Sequence, residues 1–429
     1  MNVACPGCGC VCDDLTLHFV GEKLLSVGPD CPLAEAWFSG HSQANRPSVE
    51  VDGRDASFAH GVERAAEILR QADLALLYGL SRSATAGQRA AIELAERAGA
   101  VIDSTASMCH GPSIMAIQEF GESTCTLGEI RNRADLVIFW GCSPGDSHPR
   151  HAERYSVLPA GHFRPGGRGD RKIVLVGPAD QVRDWRLDRA GTSADLVVPV
   201  ERGRDFEVIA TLRAALRGLP VEMTVELRSL FDLMRSCQTG VVFFGLGLVE
   251  TRMWETASPL AAGNVNVGAL LQLVAELNVP RRFFARRMRL QGDVSGADNV
   301  LTWQTGYPFA VSLARGYPRY NPGEFSAHEL LDRGEVDACL LLGAESVPYF
   351  SPAALNHLRG IPTIVVDYPG AERYLEPSVS FTTAVYGLQA PGVIYRMDNV
   401  PVPLRQLARS AYPTDEAVLR AIAARLGAG

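Results

Sequence analysis

Short, unbroken apolar runs closed by glycine, proline or aspartate recur along the 429 residues and constrain the fold more tightly than any other feature. They are ALLYG around 75–79, DLVIFWG at 135–141, RKIVLVG at 171–177, DLVVPV at 195–200, VVFFG at 241–245, ACLLLG at 338–343 and TIVVD at 363–367. A strand with one wet face alternates apolar and polar residues, whereas an unbroken run is what a strand buried on both faces needs, as in a parallel sheet. Between these runs lie stretches with apolar residues at helical spacing, at 59–71, 84–98, 260–277 and 415–426. Strands alternating with helices predict an α/β fold. The chain is too long for one ordinary core. Changes of texture divide it into a cysteine-rich domain at 1–56, an α/β domain at 57–238 and a second α/β domain at 239–429 that begins near Gly240. The aromatic, proline-containing segment 303–324 reads as a covering loop.

Ten cysteines are present, five of them within the first 31 residues. Cys5, Cys8, Cys12 and Cys31 follow the pattern C-x2-C-x3-C-x18-C, in which short glycine-containing loops let three sulfurs converge while a distant fourth closes the cage. That spacing suits a [4Fe-4S] cluster. A four-cysteine zinc site more often pairs two C-x2-C knuckles. Cys10 is left over as a bystander, and residues 15–27 read as a hairpin under the knuckle. With no charged start leading into an apolar run, and no run long enough to span a bilayer, the expected location is cytoplasmic with no membrane contact. A net charge of −7, with arginines scattered along the chain, argues against nucleic acid.

Candidate chemistry gathers where the apolar runs end, because ligands of open parallel sheets sit beyond the carboxyl ends of the strands. In IDSTASMCHGPS, residues 102–113, Cys109 and His110 place a soft thiolate beside an imidazole, a donor type that suits transition metals. The run ending at Trp140 continues as GCSPGDSHPRH. Gly141 and Cys142 there allow close backbone approach, and His148, Arg150 and His151 are placed to meet an anionic phosphate. Gly245 and Gly247 form a second glycine turn, and Gly343 and Glu345 a third.

The motifs CPGCGCVCDDL, DSTASMCHGPS, CTLGEIRNRADLVIFWGCSPGDSHPRH, MRLQGDVSG, TWQTGYP, YNPGE and YRMDNVPV run along nearly the whole chain. Together they resemble the B-type subunits of formylmethanofuran dehydrogenase, a family within the molybdopterin oxidoreductase superfamily. The resemblance implies an iron–sulfur domain followed by α/β domains that bind tungsten or molybdenum on two pterin guanine dinucleotides. It implies the four-cysteine cluster, Cys109 as the protein thiolate on the metal, and Cys109, His110 and Arg289 as the catalytic set for interconverting carbon dioxide and formate. It also implies a hetero-oligomer with a pterin-covering subunit, an amidohydrolase-type subunit and a formyltransferase-type subunit, through which a methanofuran-type carrier is formylated. Three positions depart from the family pattern: Gly177-Pro178-Ala179 replaces Asp-Pro-Arg, Ala390-Pro391-Gly392-Val393 replaces a Glu-Gly-Thr turn, and Gln291 replaces a histidine. These departures suit an alternative, a cofactor-poor scaffold subunit of a bacterial formyltransferase/hydrolase complex.

Overall fold

The computed structural model describes residues 3–21, 23–43, 45–249, 259–279, 281–290 and 292–427; Gln291 lies outside the described residues. In chain order the strands are β1 (Thr16–Val20), β2 (Lys23–Gly28), β3 (Val49–Val51), β4 (Arg54–Asp55), β5 (Ala75–Gly79), β6 (Val101–Ser104), β7 (Leu136–Trp140), β8 (Lys172–Pro178) and β9 (Leu196–Val200). They continue as β10 (Thr239–Phe244), β11 (Arg282–Arg287), β12 (Val311–Ser312), β13 (Arg319–Tyr320), β14 (Ala338–Leu342), β15 (Thr363–Asp367), β16 (Val379–Thr382), β17 (Gly392–Tyr395) and β18 (Pro401–Leu404). The fold is α/β with parallel sheets, as the unbroken apolar runs require.

The chain forms two compact units, residues 1–108 with 291–429, and residues 109–290. The first carries a nine-stranded sheet ordered β13-β12-β6-β5-β14-β15-β16-β3-β4. Its five central strands, β6 to β16 in that order, are mutually parallel, and the flanking pairs are antiparallel. Helix Phe58–Gln71 covers part of it. Ser57 caps that helix by accepting from His60 N–H, and its buried face runs through Val62, Ala65, Ala66 and Leu69 at the three- and four-residue spacing of one helical stripe. The second unit carries a five-stranded, wholly parallel sheet ordered β11-β10-β7-β8-β9. Helices Pro259–Leu277 and Val225–Ser236 belong to it, and it has its own core, centred on Ile138, Trp140, Val174, Val242 and Phe244.

The domain boundaries read from the sequence, near 56 and 238, are not where these units part. Residues 49–55 pair into the large sheet as β3 and β4, so the cysteine-rich segment belongs to a unit that the far end of the chain completes. Likewise the run beginning near Gly240 opens no new unit, because β10 pairs with β7 at the middle of an existing sheet. Segment 303–324, read as a covering loop, ends a helix (Val294–Thr305) and then supplies the antiparallel edge strands β12 and β13.

Both sheets reverse their winding. In the second unit the chain starts at β7, moves outward to β8 and β9, then returns to the other side as β10 and β11, so the switch lies between β7 and β10. In the first unit the corresponding divide lies between β5 and β14. Loops that leave the carboxyl ends of two such strands diverge and open a crevice for ligands.

Candidate active site

At the switch of the second unit the loops leaving β7 and β10 are bonded to each other. Gly245 N–H donates to Trp140 O at 3.0 Å, and Gly247 N–H donates to Gly141 O at 2.9 Å. Gly141 has a left-handed φ of +66°, and a Cβ there would lie 2.4 Å from Leu248 N, so glycine is obligatory. The neighbouring Cys142 thiol lies 3.8 Å from Phe243 O, and burial pushes its pKa up, which makes it inert at neutral pH.

The same strand ends gather residues from three separated segments. Cys109 is half-buried and lies one residue before His110, the N-cap of helix Gly111–Phe120. His110 is buried. Its Nε2 donates to Met288 O at 3.3 Å, and its Nδ1 lies 3.2 Å from the Ser113 hydroxyl. Burial, then Arg289 and Arg287, hold its pKa well below the usual histidine range. Beyond the end of β11, Met288 N–H donates to Phe244 O at 2.8 Å. The next carbonyl, that of Arg289, accepts from His148 Nε2 at 2.7 Å. His148 is fully buried, and burial lowers its pKa to about 4.

The other residues marked from the sequence in this loop face inward. His151 Nδ1 meets Ser156 Oγ at 2.9 Å, its ring packs edge-on to Phe243 at 4.6 Å, and burial holds it neutral. Arg150 is buried and pairs with Glu153 at 2.8 Å. Of the three groups expected to meet phosphate, two are neutral rings and the third spends charge on a neighbouring carboxylate. Met288, Ser113 and Ser147, whose hydroxyl lies 2.9 Å from His148 Nδ1, were not marked as site residues: they lie inside the motifs, but a backbone carbonyl and two serines announce no chemistry of their own.

Gly343 and Glu345 lie at the switch of the first unit. Glu345 accepts from Ser81 Oγ and pairs with Arg82 Nε at 3.6 Å. Burial raises its pKa, with Arg82 opposing. Asp367, at the end of β15, is buried and accepts from the N–H groups of Ala344 at 3.0 Å and Tyr368 at 2.8 Å. Arg82 and Asp367 were missed from the sequence, although an acid closing the run TIVVD is a signal that could have marked the latter.

The N-terminal cysteines are buried, and the hairpin β1–β2 that the sequence predicts is formed. Cys5 N–H donates to Cys12 O at 2.9 Å, and Gly7 N–H donates to the Cys5 sulfur at 3.3 Å. Cys31 is buried directly before helix Pro32–Gln43, and burial raises its pKa, opposed by the backbone N–H groups of Ala34 and Leu33. Cys10, expected to be a bystander, is a buried free thiol whose pKa is raised by the neighbouring Cys12 and Cys8 thiols and by burial. Among the described residues no group of three or more His, Cys, Asp or Glu side chains is arranged to hold a metal ion. Cys5, Cys8, Cys12 and Cys31 are nevertheless all buried thiols, the donor chemistry that an iron–sulfur cluster takes, and the Gly7 N–H points at the Cys5 sulfur.

The B-type subunit of tungsten-containing formylmethanofuran dehydrogenase 2 from Methanocaldococcus jannaschii is 36% identical over 420 residues, covering 95% of this chain and 93% of its own. The chain belongs to the family of formylmethanofuran dehydrogenase B-type subunits. The protein of the same name from Methanococcus maripaludis is 33% identical over 423 residues, covering 95% of this chain and 94% of its own. The B-type subunit of the formyltransferase/hydrolase complex Fhc of Methylorubrum extorquens is 26% identical over 298 residues, covering 70% of this chain and 75% of its own. The crystal structure of the formyltransferase/hydrolase complex FhcABCD of that organism, with methylofuran, contains a chain of the same fold. Its TM-score is 0.68 at 24% identity, covering 88% of this chain and 98% of that one. No family model matches the sequence. Among the described residues no helix is long and apolar enough to cross a membrane.

Proposed function

We propose that this chain is the subunit of a formylmethanofuran dehydrogenase-type complex that interconverts carbon dioxide and formate, the formyl group then passing to a methanofuran-type amine on partner subunits. The observation that carries the reading is the convergence at one strand end of His110, next to Cys109 in the chain, with the backbone of Met288 and Arg289. The relatives add support, since those matched over 95% of this chain are tungsten-containing enzymes.

On this reading Cys5, Cys8, Cys12 and Cys31 would hold a [4Fe-4S] cluster, and Cys109 would offer its thiolate to tungsten or molybdenum carried on pterin guanine dinucleotides. Bound there, the metal–pterin group would exchange the two electrons of CO2 + 2e− + H+ ⇌ HCOO−, with the cluster relaying them. The chain's own part is positional and electrostatic. The Arg289 guanidinium offers paired N–H donors to a carboxylate-like anion. His110 is neutral and donates from Nε2 to a backbone carbonyl, so in this geometry it holds the arginine segment in place. Burial of these groups keeps water out and strengthens every charge contact made there.

A second reading, a scaffold subunit without redox chemistry, is favoured by one observation. At the end of β8, where the family pattern has aspartate, Gly177 carries the Trp185 ring so closely that a Cβ would lie 2.1 Å from it. That ring occupies the space an acceptor for guanine would need. The deciding experiment is anaerobic purification of the complex and assay of iron, zinc, tungsten and molybdenum per copy of this chain. About four irons with one tungsten or molybdenum support the redox enzyme; zinc alone or no metal supports the scaffold.

A further inference from the structure

We propose that His148 is a positioning residue for Arg289, acting through the backbone. The proposal rests on the reading of Arg289 as the group that meets the substrate anion. Past Arg287 the ladder of β11 ends, and residues 288 and 289 continue as a loop that still presents two consecutive carbonyl groups. Such carbonyls, once buried, need donors. Two imidazoles supply them: His110 Nε2 at 3.3 Å to Met288 O, and His148 Nε2 at 2.7 Å to Arg289 O. A carbonyl only accepts, so the proton of each ring sits on Nε2, and each Nδ1 is left as an acceptor facing a serine hydroxyl, Ser113 at 3.2 Å and Ser147 at 2.9 Å, the Ser147 hydroxyl being shared with Ser143 O at 3.0 Å. The tautomers are thereby set by geometry.

His148 differs from its partner in where its own backbone is tied. Its N–H donates to Pro144 O at 2.8 Å and closes the short helical turn Pro144–Ser147, and His151 N–H donates back to His148 O at 2.8 Å. The turn follows directly on the Gly141 loop at the switch point, and Gly145 N–H secures it to Arg186 O at 2.8 Å. The ring is therefore mounted on a loop fixed at both ends, and the shorter of the two imidazole bonds falls on the arginine's own carbonyl. Holding that carbonyl restricts ψ at Arg289 and so steadies the backbone from which the guanidinium is carried. Ordering of this kind lowers the cost of holding a substrate anion without adding a contact to it. A ring committed in this way has no cation to offer a phosphate, so its family motif, SHPRH, serves the arginine.

The test uses the intact complex carrying His148→Leu, His148→Gln or Arg289→Lys. Three quantities are read for each: amide hydrogen exchange in the peptide containing residues 288–290, KM and kcat for formate, and metal content. With His148→Leu the exchange of that peptide rises and formate KM increases about tenfold, the ordinary worth of one buried hydrogen bond, while iron and tungsten or molybdenum stay at parent levels. His148→Gln keeps a side-chain N–H donor and restores both the exchange protection and most of KM. Unchanged exchange in His148→Leu overturns the proposal, as does loss of metal with KM intact, or failure of glutamine to rescue. If Arg289→Lys leaves formate KM at the parent value, the substrate role of Arg289 fails instead, and the exchange measurement still decides whether His148 orders the segment.

Discussion

The two units use the same topological device with opposite electrostatics. Each winds a parallel sheet outward from a switch point, and each puts a left-handed glycine there: Gly79 at φ +119° against Leu342, and Gly141 at φ +66° against Leu248. Around that shared geometry the first unit buries acids, Asp103, Glu345 and Asp367, whose pKa values burial raises. The second buries His110, His148 and His151, whose pKa values burial lowers. The backbone requirement comes from two strands diverging and is the same in both. The choice of side chain depends on what each crevice must hold neutral.

The largest expected effect separates the units by chemistry. Cys109→Ala abolishes carbon dioxide/formate turnover of the complex and leaves its assembly intact on a sizing column; turnover at the parent rate would remove Cys109 from the catalytic set. Next, Gly79→Ala and Gly141→Ala each cost about 3 kcal/mol in urea unfolding, since both combine left-handed strain with a Cβ inside contact distance. A near-neutral result in one unit alone would show that its switch glycine is not under the same constraint.

pH sharpens the contrast because the two sets titrate with opposite sign. Asp103 accepts from the N–H groups of Ala310 at 2.9 Å and Ala327 at 2.7 Å, and burial raises its pKa to about 6. A carboxyl with a raised folded-state pKa favours folding most when protonated, so on the order of 3 kcal/mol of its contribution is lost as pH rises from about 4 through 6. His148, lowered to about 4, favours folding when neutral, and a similar amount is lost as pH falls from about 6.5 through 4. Measured by urea unfolding, the stability gap between the parent and Asp103→Asn therefore widens at pH 4.5 relative to pH 7. The gap between the parent and His148→Gln narrows. Gaps that move together would mean the units do not differ as described.

The smallest effect should show no contrast at all. Ser57 and Thr224 cap one helix in each unit, accepting from His60 N–H and Leu227 N–H at 3.2 Å. Ser57→Ala and Thr224→Ala each lower stability by about 1 kcal/mol, because a cap is a local device that does not sense the crevice beyond it.

What the sequence determined by itself was local and periodic. Runs such as LVIFW and ACLLL are buried along their whole length, so their composition alone demanded two-sided burial and hence parallel sheets. Gly141 and Gly343 were visible as closers of those runs, and the cysteine-rich start, whose cysteines are all buried, was visible in its spacing. Tertiary structure alone decided which strands share a sheet, because strand pairing depends on crossovers that leave no mark in composition. That is why β10 joined β7 rather than opening a new domain, and why residues 49–55 closed a sheet completed some 330 residues later by β16. It also decided what the polar loop residues do. His148 looks the same in a sequence whether it faces a phosphate or a neighbour, and only folding brought the Arg289 carbonyl to it, whereas Arg150 pairs locally with Glu153 three residues on.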